Sequence, residues 1–182
     1  MDHIQPANVG NYLANEDWWF YLPAILFVDT VVIFLARFFP QTFGQPINVW
    51  YDQFGLAAVL SDVGIIAIGI AIARYLYSYF FMEKEGWSIW YFIALAVVIQ
   101  LVHDVAFAYG VVDKIPQGHN DMIDVFKTYI KGGPKILLVD ALMVAGSIGI
   151  ASLIKGQDYH YTTSGFLITA YALSYILYTN VR

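Results

Sequence analysis

Asp29, Asp62, Asp104 and Asp140 each lie inside a long apolar stretch of the chain, and one of them follows a histidine, His103. A carboxylate in hydrocarbon costs several kcal/mol unless it is paired, protonated or hydrated, so acids in such places mark either helix-to-helix hydrogen bonds or a site for protons or cations. Gln100, His103 and Asp104 recur at i, i+3 and i+4, one stripe of a helix. Taken together, these six residues form a candidate polar cluster.

Three chemistries compete for it. Asp, His, Gln, Ser61 and Ser147 can hydrogen-bond across helices and hold a bundle, each bond contributing about 1 kcal/mol. Clustered acid and His groups are also how membranes relay protons, and crowded carboxylates disfavour each other's charge. The third chemistry is a metal site of His103 with Asp ligands, reached from a loop by His119 and suited to magnesium, manganese or zinc. A dry, fully paired cluster favours the first, a funnel open to one face the second, and three ligand atoms meeting at a point the third. His119 and Asn120 are loop residues for which a helix cap is the simpler role. His3 and His160 fall on the opposite side. There is no potassium-filter sequence, and the last apolar segment has no Lys to carry retinal.

The elements that position these groups follow from composition. Of 182 residues 59% are hydrophobic and 13% charged, where soluble domains carry roughly a quarter charged residues. The mean hydropathy is +0.61. An all-α polytopic transmembrane bundle follows, a single integral membrane domain over 1–182. Five segments approach the roughly 20 residues needed to span hydrocarbon: 18–39, 55–81, 87–112, 134–154 and 161–178. The first 17 residues are polar and lack Lys and Arg, so the first segment is read as a true span. All five Trp lie near segment ends and, with Tyr51, Tyr77, Tyr79, Tyr109, Tyr159, Tyr161 and Tyr178, read as interfacial belts. A net charge of -5 without a basic stripe argues against nucleic-acid binding, and the absence of Cys removes disulfides and thiolate-bound zinc. No cofactor is implied.

With the N-terminus on side A, side B receives Arg37, Lys114, Lys127, Lys131, Lys135 and Arg182. Side A receives Lys84, Lys155 and Arg74, the last read as snorkelling from the second span. The positive-inside rule then puts the N-terminus outside and the C-terminus in the cytosol. Counting about 1.5 Å per residue, Asp62, Asp104 and Asp140 sit roughly 9 to 12 Å below face B and Asp29 slightly deeper. Within 118–134, Asn120 caps a helix near 121–131 that has Asp121 and Asp124 in its first turn and Lys127 and Lys131 near its end. A Gly132-Gly133 stop follows, and Pro134 opens the next span. Met122, Val125, Phe126, Tyr129 and Ile130 form an apolar stripe, as in a helix lying in the interface.

The halves also correspond. Asp29, Pro40-Gln41, Gly55 and Asp62 are matched by Asp104, Pro116-Gln117, Gly133 and Asp140, and small residues pair as Ala67 with Ala145, Gly69 with Ser147, Ala71 with Gly149 and Ala73 with Ala151. A parallel duplication would explain the shared depth of the acids. Chance likeness between Ala- and Gly-rich spans is the competing explanation.

The stretch IPQGHNDMIDVFKTYIKGG and the following LLVDALMVAGSIGIAS resemble uncharacterised multi-span membrane proteins of large double-stranded DNA viruses of algae and protists, over residues 100–155. The resemblance implies a virion inner membrane or its assembly site and carries over no catalytic residue. The expectation is therefore a non-enzymatic structural or assembly protein of a viral internal membrane. It would live in the lipid bilayer and engage a capsid or scaffold protein through its side-B loops, with self-association into a homo-oligomer left open. A small proton or cation transporter or channel is the alternative, and a metal-dependent membrane enzyme comes third.

Overall fold

The computed structural model describes residues 6–43, 45–130 and 134–180, and the regular structure among them is helical. The long helices are α1 (Trp18–Phe38), α4 (Leu56–Phe80), α6 (Ile89–Gly110), α8 (Pro134–Ile154) and α9 (Tyr159–Leu177). Between them lie α2 (Pro40–Phe43), α3 (Gln45–Phe54), α5 (Met82–Glu85) and α7 (Asp121–Ile130). The four helices α1, α4, α6 and α8 are long and apolar enough to cross a membrane. At 1.5 Å per residue they reach roughly 32 to 38 Å, more than a hydrocarbon core. The helix α9 is 19 residues long but less apolar. Its Thr169 and Ser174 hydroxyls turn back onto the carbonyls of Gly165 and Ala170, which satisfies them within the helix.

The element order agrees with the expected segments to within one or two residues at most ends, and the fourth coincides at 134–154. Asn120 caps α7 as expected, its Oδ1 accepting from Ile123 N at 3.0 Å. Lys127 donates from Nζ to the Ile115 carbonyl. His3, Lys131, the Gly132-Gly133 stop and Arg182 lie outside the described residues.

The helices α1, α4, α6 and α8 form a ring in that order, and α9 lies on the outside of α1. Towards side A the ring is closed by a core that draws on all four: Tyr21 and Ile25 of α1, Ile70 and Tyr77 of α4, Phe92 of α6 and Ile148 of α8. Small residues allow this closeness. Gly69, Ala73, Ser147 and Ala151 are all buried, and a Cβ added at Gly146 would sit 3.5 Å from Val28 of α1.

Towards side B the core changes membership. Ile33 and Ala36 of α1, Ala58 and Val59 of α4, and Leu173 and Leu177 of α9 enclose Ile47, Trp50 and Tyr51 of α3. No described residue of α6 or α8 belongs to that second core. The ring is thus packed shut at one end and parted at the other.

Two features differ from the sequence expectation. The first loop contains α3, a helix whose Ile47, Trp50 and Tyr51 point inward, so Trp50 and Tyr51 are core residues and not part of an interfacial belt; Tyr77 is buried as well. Of the stripe on α7, Met122, Val125 and Phe126 pack against the same core, while the side chains of Tyr129 and Ile130 are outside the description. Each half therefore runs long apolar helix, short amphipathic helix, long apolar helix, with α3 packed on α7.

The arginines are the second difference. Arg74 is 1% exposed and does not snorkel. It donates to the carbonyls of Asn11 (2.5 Å) and Ala14 (2.6 Å) and to Asp17 Oδ2 (3.3 Å). Asp17 is itself fully buried and also meets Lys155 at 2.6 Å. Residues 6–17 are further held by Ser152 to the Ala7 carbonyl, Trp87 to that of Pro6 and Ser78 to that of Gly10. At the other end Arg37 is buried too, joining Asn48 and Asp52 of α3 to the Leu177 carbonyl of α9. These contacts place the ends of α1 and α9 at the same face.

Candidate functional site: an acidic cavity under the B-side helices

The parted end of the ring encloses a cavity of about 420 Å³. Asp62 on α4, Gln100, His103 and Asp104 on α6, and Asp140 on α8 all line it. Five of the six residues of the expected cluster are therefore brought to one space. The reason is local. Asp62 lies seven positions into a helix that starts at side B and Asp140 lies equally far into α8, so the two reach one depth; α6 then presents its i, i+3, i+4 stripe between them.

Inside the cavity Asp104 is held by two neighbours on its own helix. Gln100 Nε2 donates to Asp104 Oδ1 at 2.7 Å, and His103 Nδ1 lies 3.1 Å from the same oxygen. The opposite atoms are bare: Gln100 Oε1 and Asp104 Oδ2 are buried and have no hydrogen-bond partner among the described residues. Asp140 faces the same space.

Asp29 is the exception. It does not line the cavity but lies behind it, fully buried, and is reached through Tyr51. The Tyr51 hydroxyl is 3.1 Å from Asp29 Oδ1 and 2.9 Å from Asp62 Oδ2, and Trp50 Nε1 donates to the same Asp62 oxygen at 3.2 Å. A phenol has one hydrogen to give. It donates to one carboxyl, and the other contact is a hydrogen bond only when that carboxyl supplies the hydrogen. This arrangement pins α3 onto α1 and α4 and makes the floor of the B-side loop part of the site.

The cavity's B-side wall is aromatic. His103 stacks on Phe107 at 5.7 Å, Phe107 meets Phe126 of α7 edge-on at 5.6 Å, and Phe126 meets Trp50 at 6.1 Å. Sequence reasoning missed Trp50, Tyr51, Phe107 and Phe126. The spacing of Ile47, Trp50, Tyr51 and Phe54 at i, i+3, i+4 and i+7 was the signal for an inward helix face, and the interfacial position of the two aromatics concealed it.

His119 and Asn120 are exposed and do not reach the cavity. Among the described residues no group of three or more His, Cys, Asp or Glu converges as metal ligands would. The described lining contains three carboxylates and no Lys or Arg. The buried arginines and Lys155 are committed to partners at the two ends of the bundle.

Comparison with protein-family models, curated proteins and solved structures finds no match to this chain.

Proposed function

We propose that this is a five-span membrane protein, with α9 as the fifth span and the N-terminus on the outer or lumenal face, that takes a proton or small cation into the acidic cavity from side B and passes it on. The observation that carries this reading is the set of carboxylates from three helices on one cavity whose described lining offers no Lys or Arg. Half-buried carboxylates that face one another without a Lys or Arg are costly, so protons or a cation offset their charge. The core and the Asp17, Arg74 and Lys155 group close side A, so entry is from the B-side half of the bundle.

The test is ion flux in vesicles reconstituted with the protein and loaded with a pH-sensitive dye. Asp140→Asn keeps shape and removes titration, so it should abolish a flux present in the wild type while leaving helix content and melting unchanged. Equal flux in both proteins refutes the reading.

A second reading is favoured by the tether from Asp29 through Tyr51 to Asp62. It takes the cluster as a fastening in a structural or assembly component of a viral membrane. There Asp62→Asn leaves folding and assembly intact, no flux is found, and only Asp62→Leu destabilises, by about 1 to 3 kcal/mol from stranded partners.

A further inference from the structure

We infer that the species accepted by the cavity is a protonated organic amine with an apolar arm, entering sideways from the bilayer past Leu60 and Ile68 of α4. This rests on the cation reading above and gives its substrate class. The entrance is built from residues that also stand on the outer surface of the bundle. Leu60 and Ile68 of α4 line the cavity and are 65% and 57% exposed. A route between a lipid-facing surface and a carboxylate suits a molecule that is apolar at one end and cationic at the other.

The interior sorts the two ends. Gln100 is 3% exposed and lines the cavity, and neither its Oε1 nor Asp104 Oδ2 meets a donor among the described residues. Both are acceptors held in place by the bond that joins the two side chains. An ammonium group brings the N–H donors they lack and a charge that the facing Asp140 also meets. The arc of His103, Phe107, Phe126 and Trp50 offers ring faces and edges to an aromatic or aliphatic arm, and a cation beside such rings gains further. A volume of about 420 Å³ falls in the range of roughly 300 to 1,000 Å³ usual for small-molecule pockets. A bare metal ion fits less well, since it needs several oxygens converging on one point and the described side chains do not provide them.

Calorimetry on the purified full chain in nanodiscs tests this with three probes: 2-phenylethylammonium, ethylammonium and 2-phenylethanol. The first should bind at least about tenfold tighter than either the charge without the arm or the arm without the charge, a tenfold ratio being about 1.4 kcal/mol. Asp140→Asn and Gln100→Leu should each weaken 2-phenylethylammonium by about tenfold, and Asp113→Asn, an exposed acid outside the cavity, should not. Should Gln100→Leu fail to fold, the near-isosteric Asp140→Asn decides alone. The inference is overturned if 2-phenylethylammonium binds no tighter than 2-phenylethanol, or binds Asp140→Asn as well as wild type. An Asp140-dependent proton flux without amine binding sinks the substrate class and leaves the cation reading standing; amine binding without flux supports the class and removes transport.

Discussion

Replacing Tyr51 by phenylalanine keeps the ring that packs among Ile33, Ala58 and Leu173 and removes only the hydroxyl shared by Asp29 and Asp62. Asp62 keeps its bond from Trp50, so the loss falls mainly on Asp29, which is fully buried and whose Oδ2 already has no partner among the described residues. An interhelical hydrogen bond in a membrane protein contributes about 0.6 to 1.7 kcal/mol, and leaving a buried acceptor unmet costs about 1 to 3 kcal/mol. The expected destabilisation is therefore about 2 to 3 kcal/mol. Reversible unfolding in mixed micelles, followed by helical circular dichroism, measures it. Tyr77→Phe is the comparison, because the Tyr77 hydroxyl also joins two groups, donating to the Gly86 carbonyl and accepting from Ser88 N, but both are neutral backbone. It should cost about 1 kcal/mol. A Tyr51→Phe protein within about 0.5 kcal/mol of wild type would show that the tether contributes nothing beyond packing.

Asp17→Asn removes the charge between Arg74 and Lys155 at the closed end, and breaking such a buried group should cost about 3 to 5 kcal/mol in the same unfolding measurement; a loss below about 1 kcal/mol would mean water already shares the site. Cysteines placed one at a time at the exposed Asn15 and Gln117 should label from opposite faces in sealed vesicles, and labelling from one face refutes the topology. Gly55 has φ of 51° and ψ of -125°, a combination open essentially to glycine, and a Cβ there would lie 3.1 Å from the Tyr178 hydroxyl. Gly55→Ala should therefore lower stability by about 1 to 3 kcal/mol, whereas Gly64→Ala, inside α4 with nothing within 4 Å among the described residues, should raise it by up to about 1 kcal/mol.

Hydropathy and helix-end signals carried most of the architecture, because α1, α4, α6 and α8 must each supply a full apolar length, and Asn120 and Pro134 mark helix starts by their own chemistry. The common depth of Asp62, Asp104 and Asp140 was also legible, since rise per residue converts sequence position into height. What was not legible depends on contacts remote in sequence. Arg74 and Arg37 read as snorkelling or cytosolic charge because their partners are mainly backbone carbonyls and acids 11 to 140 residues away, which no local pattern encodes. Tyr51 reads as an interfacial aromatic until the B-side loop is seen to fold back between α1 and α4. Asp29 was grouped with the other acids on depth alone, and only that loop shows why it lies behind the cavity and not in it.

The bonds that secure residues 6–17 reach forward as far as residue 155, and Arg37 reaches the Leu177 carbonyl. During synthesis α1 therefore leaves the ribosome before the last of the groups that lock its two ends exist. Asp17 must wait for α4, α6 and α8 before Lys155 arrives, and the Arg37 guanidinium waits for α9 to complete its partners. Closure of side A is consequently a late event in biogenesis, and a chain halted before α8 would hold residues 6–17 through Arg74, Ser78 and Trp87 without the contacts of Ser152 and Lys155.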